Sequence, residues 1–155
     1  MANIGNFRAT QSIVVFGCGP VGLLALACAR ALGASRAIAV DINPGRLEFA
    51  KKYSATDVWQ PLKPNEGESK IEYSRRNVDA MKEALGIVDS GPGEIDLVVD
   101  ASGAEASIQA AILVVKVGGT FVQVSSNIEA KYKRERYIDI LLDRSEWAAL
   151  RSSYQ

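Results

Sequence analysis

The sequence predicts an α/β domain: a doubly wound parallel sheet of about five strands with helices on both faces. Three observations carry that reading. Short β-branched runs alternate with helical segments, a glycine-rich turn separates the first such pair, and 48% of the 155 residues are apolar, enough for one sizeable core.

The elements follow in order. Ser12 to Phe16 is a β-branched and aromatic run ending at a glycine, which reads as a strand buried on both faces. Pro20 to Leu32 is apolar nearly all round, with Arg30 its only charge, and suits a helix packed between a sheet and other protein; Gly33 ends it. Ala37 to Val40 gives a second buried strand that stops on Asp41. Asn43 then caps a helix with Pro44 at its first position, running to about Tyr53. Asp57 to Trp59 is a short third strand, and residues 60–69, with two prolines and a glycine, form a surface loop.

Tyr73 to Leu85 places Val78, Met81 and Leu85 along one side of a helix that Gly86 stops. Ile95 to Asp100 is the fourth strand, Ala104 to about Val115 the next helix, and Thr120 to Val124 the fifth strand after Gly118-Gly119. This alternation implies right-handed crossovers. From Ser125 the pattern changes. Tyr132 to Arg151 is charge-rich, with Tyr137, Ile140, Leu141, Trp147 and Leu150 on one apolar stripe, so a terminal helix is expected and no sixth strand. The expected organisation is one sheet domain over residues 1–130, with a helical extension over 131–155 packed on it.

Composition narrows the function classes. Eighteen basic residues balance eighteen acidic ones, so no basic surplus argues for nucleic acid or an anionic membrane, and small molecules or proteins are the expected partners. The apolar stretch from Pro20 to Ala29 is too short to span a bilayer, and no targeting signal is visible. Two cysteines, Cys18 and Cys28, point to a reducing cytoplasmic setting. No histidine is present, which removes the commonest general base and the commonest metal ligand together. No metal site is expected.

Gly17-Cys18-Gly19-Pro20-Val21-Gly22 fits G-x-G-x-x-G at the junction of a buried strand and a helix. Gly17 permits the tight turn, Gly19 lets backbone approach a pyrophosphate, and Gly22 allows helix to pack on strand, while free N–H groups at the helix end face the phosphates. Asp41 lies nineteen residues beyond Gly22 at the end of the second strand, where an acid bonds the ribose hydroxyls and favours NAD over NADP. The bland alternative is a plain βα turn with an acid capping the next one. Arg46 is the competing feature, since a nearby cation could accommodate a 2′-phosphate.

With these residues placed, Ile13 to Val124 resembles the Rossmann domain of medium-chain, zinc-dependent polyol dehydrogenases, especially the fungal xylitol, sorbitol and L-arabinitol enzymes. The resemblance rests on Val14 to Gly22, Ala39 to Asn43, Leu47 to Tyr53, Asp96 to Gly103, and Gly118 to Val124. It implies that the glycine turn cradles a pyrophosphate, that Asp41 holds the adenosine ribose, and that Ala101, Ser102 and Gly103 line the nicotinamide side. The cofactor-binding set expected is Gly17, Gly19, Pro20, Val21, Gly22, Asp41, Ile42, Arg46, Ala101, Ser102, Gly103, Val124 and Ser125. The resemblance also implies dimers or tetramers formed through this domain. Two departures stand out: the family's zinc-bearing catalytic domain has no counterpart here, and Ser125-Ser126 stand where the family tends to continue with glycines.

Other chemistry is weighed on single residues. Cys18 sits near a helix N-terminus, where a dipole lowers a thiol pKa, though filling the x of G-x-G explains it more simply. Cys28 reads as core. Asp100 and Ser102 end a strand on the edge where such sheets bind ligands, so a catalytic carboxylate competes with plain loop bonding. Lys131, Lys133, Arg134 and Arg136 are interleaved with acids and read as a solvated face. The expected function is an NAD(H)-binding domain that oxidises no alcohol alone, partnered with NAD(H), with copies of itself, or with a separate catalytic domain. A repurposed fold with a non-zinc site at the carboxyl edge and a protein-interaction module are the alternatives. No catalytic residue is assigned.

Overall fold

The computed structural model describes residues 6–124. Nine elements alternate along them: β1 (Ser12–Phe16), α1 (Pro20–Ala31), β2 (Arg36–Val40), α2 (Pro44–Tyr53), β3 (Asp57–Trp59), α3 (Lys70–Leu85), β4 (Leu97–Asp100), α4 (Glu105–Val114) and β5 (Thr120–Gln123). All neighbouring strands pair in parallel, in the order β3-β2-β1-β4-β5. This is the five-stranded, Rossmann-like arrangement that the sequence predicts. The proposed extension, including Tyr132 to Arg151, lies outside the described residues, as does Ser125.

Strand alternation sorts the core into two halves. Ile13, Val15, Ala37, Ala39, Leu97 and Val99 face α1 and α2, where Ala25, Leu26, Leu47 and Ala50 meet them. Val14, Phe16, Ile38, Val40 and Val98 face the other way, onto Val78 and Met81 of α3 and Ala110, Ala111 and Val114 of α4. Every residue of β1 and β4 is buried, as expected for strands covered on both sides. The small Ala25 and Ala29 let α1 lie close to the sheet, while Val21 and Leu24 on its outer side stay half exposed.

Two boundaries differ from the expectation by more than one residue, each for a local reason. α3 begins at Lys70, one turn before the apolar pattern, because Ser69 and Glu72 form a capping box: the Glu72 carboxylate accepts from the Ser69 N–H at 2.9 Å. β4 begins at Leu97 although Ile95 is buried, because Ser12 and Asp96 exchange side-chain bonds with backbone there in place of a strand ladder.

That junction ties β1 to β4 at the amino edge. The Asp96 carboxylate accepts from the Ser12 N–H at 2.8 Å and pairs with the Lys116 ammonium at 2.6 Å. Burial raises the Asp96 carboxyl, but the Lys116 ammonium and the Ser12 donors outweigh it and hold it below the ordinary carboxylate range. A depressed carboxyl adds stability that is complete above its unfolded value of about 3.9 and is lost as pH falls through the folded value. Asp96→Asn is therefore expected to cost about 1–3 kcal/mol at pH 7 by denaturant titration. The gap from the parent should narrow as pH falls below that unfolded value and through the folded one; an equal gap at pH 7 and in acid would contradict this account.

Candidate cofactor-binding site

The chain crosses from one face of the sheet to the other between β3 and β4, so the loops after β1 and β4 part at the carboxyl edge and leave a crevice there. Its centre is the turn after β1. Gly17 has φ +93° and donates its N–H to Val40 O at 2.7 Å, a conformation that L side chains rarely adopt. It is also crowded: a Cβ there would stand 2.9 Å from the Ser102 nitrogen. The sequence reading assigned Gly17 to the turn alone; the contact with the β4 loop is a second reason.

Gly19 precedes α1 with ordinary extended backbone, and nothing lies within 4 Å of a Cβ built on it. The space in front of the turn is open. Gly22 is the opposite case, because its Cβ would fall 1.8 Å from Gly17 O, so hydrogen alone lets the first turn of α1 seat on the loop. No side chain caps α1 and no acidic residue occupies its first turn, leaving N–H groups and the positive dipole end facing the crevice.

Asp41, at the end of β2, is 7% exposed. One carboxylate oxygen, Oδ2, accepts from the Cys18 N–H at 2.7 Å; the other, Oδ1, accepts from the Asn43 N–H at 2.8 Å. Arg46 Nη1 stands 3.8 Å from Oδ2 on an exposed side chain. Asn43 also caps α2, as expected, by accepting from the Arg46 N–H.

Of the predicted set, Gly17, Gly19, Asp41, Ile42, Arg46, Ala101 and Ser102 line one cavity of about 310 Å3. Pro20 and Val21 lie on the first turn of α1 and Gly22 is buried beneath it; Gly103 follows Ser102 with φ +70°, and Val124 is half exposed just past β5. These five do not line that cavity. Sequence reasoning missed Phe16, Val40, Pro61, Ala104 and Ser107, which do. Phe16 and Val40 carried a signal, since each is the last residue of its strand. Pro61 and Ser107 carried none, because only the packing of loop and α4 brings them to the cleft. A second cavity of about 230 Å3 shares Phe16, Val40, Ile42, Pro61, Ala104 and Ser107 and continues past Trp59 to Met81 under α3.

Asp100, Ser102 and Cys18 are engaged within the protein, whereas Cys28 is not in the core, contrary to the expectation. Asp100 is fully buried, and its oxygens accept from the Ser102 N–H, the Ser102 hydroxyl and the Gly103 N–H at 2.7 to 3.2 Å. The Ser102 hydroxyl oxygen in turn accepts from the Ala104 N–H. Burial first, and the Asp41 charge second, push the Cys18 thiol up to about 12, opposite to the direction a helix dipole would give. Cys28 is half-buried on α1.

The family model for zinc-binding dehydrogenases matches residues 20–142. This chain belongs to that family. It is 50% identical over 118 residues to D-xylulose reductase A of Aspergillus oryzae, covering 76% of this chain and 30% of that protein. The chain thus spans about 30% of the length of the curated relatives it matches. Alcohol dehydrogenase TADH from Thermus sp. ATN1 is similar in structure, with TM-score 0.55 and 32% identity over 79% of this chain and 31% of that one. Benzyl alcohol dehydrogenase from Acinetobacter calcoaceticus shares the fold with TM-score 0.65 at 24% identity, over 93% of this chain and 33% of that one. The sequence has no histidine, and among the described residues no three His, Cys, Asp or Glu side chains gather to hold a metal.

Two predictions follow the glycines and the thiol. Gly22→Ala is expected to cost about 1–3 kcal/mol in denaturant titration, the range for overpacking, although alanine favours a helix by ~1 kcal/mol. Gly19→Ala should stay within about 0.5 kcal/mol of the parent, and equal losses would sink the distinction. In native protein at pH 8, iodoacetamide should label Cys28 well before Cys18, read by peptide mass spectrometry, because only thiolate reacts; equal labelling would show that the Cys18 thiol is not shielded.

Proposed function

We propose that this chain binds NAD(H) across the carboxyl edge of its sheet, as the cofactor half of a polyol dehydrogenase of the D-xylulose reductase type. The observation that carries the reading is the open space before Gly19 beside the buried Asp41 carboxylate. The residues present fit the cofactor: the unfilled space at Gly19 and the uncapped start of α1 suit a pyrophosphate, and the Asp41 oxygens keep lone pairs for two ribose hydroxyls. The apolar cavity running from Ile42 and Pro61 toward Trp59 suits a purine. A carboxylate at the ribose favours NAD, since a 2′-phosphate beside Asp41 would meet like charge; Arg46 softens that repulsion without removing it.

When bound, the nicotinamide supplies hydride transfer. The alcohol must also lose a proton, and among the described residues at this edge Asp100 spends its oxygens on its own loop while burial holds the Cys18 thiol up. These occupied groups also argue against a repurposed catalytic site at this edge. By itself the chain binds cofactor and leaves alcohol oxidation to a zinc-bearing partner domain.

The deciding measurement is a titration of the chain with NADH and, beside it, NADPH, followed by cofactor fluorescence. Micromolar NADH binding with weaker NADPH binding is expected, and binding of neither would end the cofactor reading. Gly19→Val should fold yet weaken NADH, because the added bulk fills the space in front of the turn. Purified chain should show no NAD-dependent oxidation of xylitol or sorbitol with or without added zinc. Turnover that survives metal chelation would overturn the division of labour.

A further inference from the structure

The two acidic strand ends at the crevice use the same local turn but spend their second oxygens differently. Oδ1 of Asp41 accepts from the Asn43 N–H and Oδ1 of Asp100 from the Ser102 N–H, each two residues on. Oδ2 of Asp100 stays in its own loop, on the Gly103 N–H at 3.2 Å. Oδ2 of Asp41 instead crosses to another element and accepts from the Cys18 N–H at 2.7 Å, a buried bond spanning 23 residues of sequence.

Cys18 is flanked by Gly17, which packs on the β4 loop, and by Gly19, which has nothing within 4 Å of a Cβ built on it. Without an acceptor its buried N–H would be left unsatisfied, and the cheapest remedy is for the turn to rearrange until that group meets water. We propose that Asp41 is a positioning residue for the phosphate-binding turn: its carboxylate holds Gly17, Cys18 and Gly19 in their anion-accepting shape before any ligand arrives. The inference rests on the cofactor reading above and adds to the ribose role a second one, exerted through the Cys18 N–H. It also assigns that N–H to Asp41, so a phosphate must be met by Gly19 and the N–H groups beyond it.

The sign of one measurement separates this from electrostatics. A carboxylate near a phosphate repels it, so Coulomb's law alone says that removing Asp41 tightens the binding of a ligand without ribose hydroxyls. Positioning says that it weakens it. ADP and 2′,3′-dideoxy-ADP are titrated against the parent, Asp41→Ala and Asp41→Asn, and amide hydrogen exchange is followed in the ligand-free proteins. The expected result is a loss of about tenfold in dideoxy-ADP affinity for Asp41→Ala, with faster exchange at Cys18 and none of the β1 amides affected. Asp41→Asn, which keeps one acceptor oxygen, should fall between, and it answers the question alone if the alanine variant does not fold. Unchanged or tighter dideoxy-ADP binding with Cys18 still protected would overturn the proposal and leave the ribose role standing. If the parent binds ADP and dideoxy-ADP equally while the variants lose both, the ribose role fails and positioning survives.

Discussion

At the centre of the carboxyl edge, the α-carbon of Gly17 lies so close to the β4 loop that a methyl group would press on the Ser102 nitrogen and the Ala101 carbonyl carbon. Gly22 meets the Gly17 carbonyl oxygen even more closely, so strand, turn, helix and neighbouring loop touch through backbone with no side chain between them. That contact sets the depth of the crevice. Backbone contact seats Gly17 and Gly22; between them the Cys18 N–H is bonded to Oδ2 of Asp41, and the face at Gly19 stays open.

Two buried carboxylates complete the arrangement from either side of β1. A buried carboxylate is costly without donors, and both find backbone N–H groups: Asp100 in the loop that follows it, Asp41 in its own loop and in the turn after β1. Asp100 therefore stiffens the β4 loop on which Gly17 rests. Asp41 joins β2 to the turn after β1. The rim differs in character: Ile42 and Arg46 are largely exposed and free to adjust to whatever enters.

Much of this was legible in the residues themselves. The alternation of Val14 and Phe16 against Ile13 and Val15 carries no visible polarity, so the strand was recognised by its β-branched run and by the glycine that ends it, while the assignment of each residue to one face waited for helices to lie on both. Asn43-Pro44 announced the start of α2 because capping is a local interaction of neighbours in sequence. Ser69 and Glu72 mark the start of α3 by the same physics, one turn before the apolar pattern begins. Asp100 was open between catalysis and loop bonding because both roles place an acid at a strand end; only its three donors separate them.

The sequence by itself determined the fold class, the position of the glycine turn and the acid that partners it, because each depends on periodicity or spacing along the chain. The tertiary structure decided what no spacing encodes. It brought Pro61 from a loop and Ser107 from α4 to the same cavity, turned the Cys18 thiol from a reactive candidate into a shielded one, and aimed one oxygen of Asp41 at a peptide 23 residues away. Burial, charge and hydrogen bonding at such a site are sums over groups distant in sequence, and they acquire values only when the sheet brings those groups together.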